Sequence, residues 1–307
     1  MKGIVIKSTG SWYSVQDGKK VIPCKIKGKL RLKGIKTTNP VTVGDNVEYI
    51  MYDESTGLIE RIEERKNYII RRSTHFSKEA HLLAANVDQA MLMVSVKNPV
   101  TPSEFMDRFL VSAEAYYIKN IIIINKIDLL DSKTQSAYEE MLKTYQDLAG
   151  YECISVSVEK NINIEQVKKA LNNKTTLIAG NSGVGKTSLI NVLIPDLDLK
   201  TEEISDYHKA GKHTTTFSEL FQLNDKSNII DSPGIKGFGL IDIEKSEIAH
   251  FFPEIFSISK NCKYYNCTHI HEPDCAVIDA VQKGLIAKSR YKSYENLFLE
   301  ENSKYRT

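Results

Sequence analysis

Two short segments of this 307-residue chain carry residue types that could hold a nucleotide. Asn125-Lys126-Ile127-Asp128 comes first. Gly180-Asn181-Ser182-Gly183-Val184-Gly185-Lys186-Thr187, followed by Ser188, comes second. In the second, the glycines let backbone N–H groups turn inward around a polyphosphate, Lys186 reaches the outer phosphates, and Thr187 places a hydroxyl on Mg²⁺. Such a loop does not separate ATP from GTP. The first segment does, because the Asp128 carboxylate can accept from the guanine N1–H and exocyclic amine together. Adenine lacks that donor pair and would leave a buried charge unsatisfied. The aliphatic stem of Lys126 can lie over the base while Asn125 ties neighbouring loops together.

The order of the segments narrows the class. In an ordinary GTPase the base-reading tetrapeptide follows the phosphate loop; here it precedes it, as in a circularly permuted GTPase. Three further segments fit that order. Ser155-Val156-Ser157, ending an apolar run, is expected to give the base backbone and hydroxyl contacts. Asn228-Ile229-Ile230-Asp231-Ser232-Pro233-Gly234 is an apolar strand running into a turn, where Asp231 binds Mg²⁺ through water and the Gly234 N–H senses the γ-phosphate. Between them, Gly211-Lys212-His213-Thr214-Thr215-Thr216 has the polarity of a switch, with Thr215 chosen to close on Mg²⁺. Ile235 stands where many GTPases place a water-orienting glutamine and cannot hydrogen-bond water, so intrinsic hydrolysis is expected to be slow. His213 is the nearest replacement; a surface histidine in a polar loop is the alternative.

A second cluster lies near the end of the chain. Cys262, Cys267, His269 and Cys275 offer three thiolates and an imidazole, the closed tetrahedral set of a structural Zn²⁺ site, with His271 as an alternative ligand. The cluster favours metal in a reducing compartment over disulfides. Cys24 and Cys153 sit in apolar strand-like runs and are expected to be buried.

These residues need elements to hold them. Before about residue 70, five short alternating stretches (3–7, 12–16, 20–26, 46–52 and 58–62) are separated by turn residues. They predict a small all-β barrel, an OB-fold in preference to an SH3-like one. From 71 to 245, apolar strands at 90–96, 120–124, 152–156, 175–179 and 228–230 alternate with helical spacing at 102–117, 134–149 and 164–171. That pattern predicts an α/β nucleotide-binding domain with a largely parallel sheet. The tail from about 246 contains the metal-ligand cluster, flanked by helical stretches at 245–252 and 276–283. The formal net charge is only +2, yet residues 1–36 hold ten Lys or Arg against a single acid, Asp17. A phosphate-backbone partner and a solvated lysine-rich surface explain this equally. Lys283, Lys288, Arg290 and Lys292 form a second basic run that could face phosphate. With no apolar run of about 18 residues and no signal-like start, no membrane partner is expected and the location is expected to be cytoplasmic.

The whole arrangement resembles the ribosome small subunit-dependent GTPase A family, and the resemblance covers essentially the entire chain. Besides the segments above, Ala85-Asn86-Val87-Asp88-Gln89 and Asp107-Arg108-Phe109-Leu110 are similar to that family's entry into the GTPase domain. The switch matches with Lys212 where arginine is common, and Asp231-Ser232-Pro233-Gly234-Ile235 shares the hydrophobic residue. The resemblance implies an OB-fold domain over 1–70, a permuted GTPase domain over 71–245 and a mostly helical zinc domain over 246–307. It implies late assembly of the 30S particle, with GTP hydrolysis stimulated by that particle and coupled to release. GTP and GDP, ribosomal RNA, Mg²⁺ and one Zn²⁺ are the implied partners and cofactors, and a monomer is expected. Two alternatives remain at this point. One is a permuted GTPase acting on another RNA or the large subunit, and the other is an RNA scaffold that holds GTP with little turnover.

Overall fold

The computed structural model describes residues 1–28, 39–72, 80–197, 199, 218–232 and 243–300. Strands β1 (Lys2–Thr9), β2 (Trp12–Asp17), β3 (Lys20–Ile26), β4 (Asn46–Met51) and β5 (Gly57–Ile62) form the first unit. Alternation along them turns Val5, Tyr13, Val15, Cys24, Val47, Tyr49 and Ile59 into one core. The strands pair in the order β1-β2-β3-β5-β4, β4 returns to β1, and β3 runs parallel to β5. This closure is that of an OB barrel, which settles the choice against an SH3-like one.

A hairpin of β6 (Tyr68–Arg72) and β7 (Ala80–Ala85) follows. The alanine-rich β7 has no alternation that would announce a strand. Next come β8 (Gln89–Val94), α1 (Ser103–Ala115), β9 (Lys119–Ile124), α2 (Gln135–Leu142), β10 (Glu152–Ser155), α3 (Ile164–Leu171), β11 (Thr175–Gly180), α4 (Lys186–Leu193), β12 (Glu219–Asn224) and β13 (Ser227–Asp231). Strands β10-β9-β8-β11-β13 are parallel, and β12, which the sequence reading did not anticipate, pairs antiparallel with β13 and joins this sheet to β1 of the barrel. Both sheet faces are covered, by cores containing Leu92, Phe109 and Ile122 on one side and Met93, Ile178 and Ile190 on the other. The helix expected over 134–149 changes type, because Lys143–Leu148 is a π-helix. It carries Tyr145, whose hydroxyl donates to Asp107 Oδ1 at 2.9 Å, and such widened turns recur where a side chain must be re-aimed.

The barrel docks through a close backbone approach. Gly44 sits at φ +89°, and a Cβ there would lie 2.1 Å from the Ala85 carbonyl oxygen. Ala85 N–H donates to Val43 O, and Asn86 Nδ2 to Gly44 O, both at 2.9 Å.

The last unit contains a 3₁₀ segment, Lys245–Phe251, with α5 (Pro253–Ser259), α6 (Ala276–Gln282) and α7 (Lys288–Leu299). Val111 of α1 belongs to its core. Arg290, expected among the phosphate-facing cations, is instead fully buried. Its guanidinium grips Glu254 in a bidentate pair at 2.7 and 3.1 Å and Asp107 of α1 at 2.8 Å. It also lies 4.6 Å from the Phe252 ring centroid. Lys283 and Lys292 pair with Asp279 and Glu295. Cys24 is buried as expected, whereas Cys153 is half-buried. Arg290→Ala would leave two carboxylates unpaired in the interior, so a loss of about 3–5 kcal/mol is expected. Urea denaturation measures it; a loss below about 1 kcal/mol, the range of an exposed pair, would refute a buried rivet.

Candidate guanine-nucleotide site and metal centre

The phosphate loop leaves the C-terminal end of β11 and enters α4 at Lys186, with Gly185 at φ +103° as the cap. The first N–H groups of α4 have no intrahelical acceptor and are suited to phosphate oxygens. Lys186 Nζ lies 2.8 Å from Gly180 O and 3.2 Å from Asn181 O. Burial pulls its pKa down, against the opposing charge of Asp231. Asn181, Ser182, Gly183 and Val184 complete the loop, and Thr187 and Ser188 are half-buried in the first turn of α4.

Asn125-Lys126-Ile127-Asp128 leaves the end of β9, and β8 lies between β9 and β11. The two motifs touch. Asn125 Nδ2 donates to Val184 O at 2.9 Å, and Asn125 Oδ1 accepts from Val158 N–H at 3.1 Å. Lys126 takes a left-handed conformation, φ +66°, and its Nζ reaches Gly183 O at 2.8 Å and also Asn98 O. A side chain at Gly185 would put a Cβ 2.5 Å from Asn125 Nδ2. Gly185→Ala is therefore expected to weaken GTP binding at least about tenfold by strain and by loss of the Asn125 bridge. Equilibrium titration with a fluorescent GTP analogue checks this, and unchanged affinity would rule the bridge out.

Ser155 and Val156 are committed to the protein. The Ser155 hydroxyl pairs with Tyr138 and its carbonyl accepts from Asn163. Val156 is buried, with its N–H given to Ile124 and its carbonyl accepting from Ile127. The next pair, Ser157-Val158, meets the tetrapeptide as well, through the Val158 N–H on Asn125 Oδ1, and the Glu159 charge acts on Lys126. Ser-Val occurs twice in succession there, so the sequence alone leaves the register of the base-edge pair open. The turn at Asn161 and Asn163, both at positive φ, was the available signal for where the strand ends.

Asp231 closes β13 opposite Ile178 of β11. Its Oδ1 is buried with no hydrogen-bond partner among the described residues, and burial pushes its pKa up to about 6, with Lys186 opposing. A buried carboxylate oxygen without a donor among the described residues, in reach of the Lys186 charge, fits a Mg²⁺ site, since a cation can satisfy it. His213, Thr215, Gly234 and Ile235 lie outside the described residues.

In the C-terminal unit, ligand atoms of Cys262, Cys267, His269 and Cys275 all lie within 4.8 Å of one another. Cys262 Sγ to Cys275 Sγ is 3.9 Å, and the two sulfurs lie 3.6 and 3.5 Å from His269 Nδ1. Zn–S bonds of about 2.3 Å give tetrahedral S–S edges of about 3.8 Å, so the cluster fits that metal. His271 is not in the cluster. The Glu272 carboxylate fastens the turn by accepting from the Thr268 and Ile270 N–H groups, which helps hold its pKa down at about 2.

A parallel sheet carrying a phosphate loop behind a guanine-type tetrapeptide defines a circularly permuted GTPase. The RsgA GTPase family model matches residues 62–241 and the RsgA N-terminal domain model matches residues 2–59. The chain belongs to the RsgA GTPase family. It is 53% identical over 308 residues to small ribosomal subunit biogenesis GTPase RsgA 2 of Bacteroides thetaiotaomicron, covering 100% of this chain and 99% of that one. It is 48% identical over 311 residues to the Christiangramia forsetii protein named small ribosomal subunit biogenesis GTPase RsgA, covering 100% and 98%. Among solved structures, YjeQ from Thermotoga maritima superposes with a TM-score of 0.74 at 34% identity, over 97% of this chain and 96% of that one. YloQ, described as a circularly permuted GTPase, gives 0.69 at 31%, over 97% and 93%.

Proposed function

We propose that this chain hydrolyses GTP as a late assembly factor of the small (30S) ribosomal subunit, with turnover stimulated by the subunit and coupled to release. The observation that carries the reading is the Asn125 bridge, which ties the base-reading loop to the phosphate loop across β8. In this reading residues 1–70, 71–245 and 246–307 act as barrel, GTPase and zinc modules. Asp128 reads guanine, the Lys126 stem covers the base, and Ser157 and Val158 replace Ser155 and Val156 at its edge. The loop N–H groups from Gly180 to Ser188 and Lys186 hold the phosphates. Thr187, Asp231 and Thr215 would hold Mg²⁺, which supplies charge neutralisation across the outer phosphates. Gly234 senses the γ-phosphate and His213 orients the attacking water. Cys262, Cys267, His269 and Cys275 hold one structural Zn²⁺ with no open position.

Ribosomal RNA is the partner of the lysine-rich barrel, where Lys25 already lies 4.3 Å over the Trp12 ring. The protein acts as a cytoplasmic monomer; no helix among the described residues is long and apolar enough to cross a membrane. Co-sedimentation with 30S subunits tests the coupling. Binding with a non-hydrolysable GTP analogue is expected to be at least about tenfold tighter than with GDP. Equal affinity would sink the release step.

A further inference from the structure

A row of four charges crosses the sheet from the barrel to the phosphate loop. Lys7 of β1 pairs in register with Glu219 of β12, and Glu219 pairs in register with Asp231 of β13. Directly opposed residues on antiparallel strands point to one face with Cβ atoms about 4.5–5.5 Å apart. Lys7 Nζ lies 3.0 Å from Glu219 Oε2. The Glu219 charge is felt at Asp231, as is that of Lys186 from the other side. The row therefore runs positive, negative, negative, positive. Two like charges facing each other across a ladder are unfavourable unless cations lie nearby. One of the two, Asp231, keeps a buried oxygen without a partner among the described residues. Beside the ion pair, Gln16 Nε2 donates to Gln222 Oε1 at 3.2 Å. Lys7–Glu219 is the register pair joining barrel to GTPase sheet among the described residues.

We propose that Glu219 is a positioning residue for the magnesium site at Asp231, and that Lys7 of the barrel sets how strongly it acts. Glu219 deepens the negative potential where the divalent ion binds without ligating it. Lys7, closing on Glu219, cancels part of that potential. A polyanion drawing Lys7 onto its own phosphates would release Glu219 and tighten Mg²⁺ in the GTPase domain. The barrel thereby gains an electrostatic route to the nucleotide site. The inference rests on the reading of Asp231 as a magnesium residue.

The test is the Mg²⁺ concentration that half-retains a fluorescent GDP, in about 50 mM salt where screening is weak. Glu219→Gln is expected to raise that concentration about three- to tenfold, and Lys7→Gln to lower it by a similar factor. The double variant is expected to match Glu219→Gln. Without magnesium, nucleotide affinity should rise slightly in Glu219→Gln and fall slightly in Lys7→Gln, because a potential that attracts the cation repels the phosphates. A mere packing role would shift both single variants in the same direction, which would overturn the proposal. So would variants indistinguishable from the unmodified protein. Magnesium-independent GDP retention in the unmodified protein would overturn the magnesium reading itself and this inference with it.

Discussion

Asp128→Asn is expected to lower GTP affinity by at least about a hundredfold and to give binding of xanthosine triphosphate in its place. The carboxylate accepts two donors from guanine, and an amide offers one acceptor and one donor. Guanine would then bring its exocyclic amine against an N–H₂ group. Xanthine, with a carbonyl at that ring position, restores the match. The substitution replaces one carboxylate oxygen with an NH₂ group on a half-buried side chain held just after β9. Its effect should therefore fall on base choice with little change in stability. Competition of GTP, ATP and XTP against a fluorescent nucleotide measures it. Retained preference for GTP would mean that Asp128 does not read the base.

The second large effect is expected at the metal centre. Cys275→Ala is expected to reduce bound zinc from about one per chain to near zero and to lower the thermal midpoint by about 10 °C or more. Burial pushes the Cys267 thiol up to about 12 and raises Cys275 as well. Without a metal these groups would be neutral thiols, weak partners for one another. A bound metal would displace their protons and make the cluster the fastening of a unit that otherwise rests on short helices. The damage should spread, since Arg290 bolts this unit onto α1. Metal analysis with a thermal melt checks both parts. A variant with no metal and an unchanged midpoint would show that the apolar core and the Arg290 rivet suffice alone.

Much of this was legible in the sequence because the chemistry is local. The phosphate loop, the tetrapeptide and the cysteine spacing are contiguous, and their order alone gave the permuted class. The barrel was visible as alternation, although only the β3–β5 pairing separates OB from SH3-like closure. What escaped depends on distant partners. Arg290 reads as one more surface cation in a basic run until Asp107 and Glu254 arrive from elsewhere in the chain. Ser157-Val158 and Ser155-Val156 are equivalent by composition, and distant partners distinguish them, Tyr138 and Asn163 at Ser155 and Asn125 at Val158. The joining strand β12 was missed because a short half-exposed strand carries little apolar signal. With it went the Lys7–Glu219–Asp231 row, which no single segment contains.

The most direct measurement is GTP turnover by the purified protein alone, with isolated 30S subunits, and with isolated 50S subunits. Slow basal turnover with strong stimulation by 30S only is the predicted result, because Ile235 leaves the water without its usual orienting glutamine. Equal stimulation by both subunits, or none by 30S while GTP still binds, would contradict the assignment to small-subunit assembly.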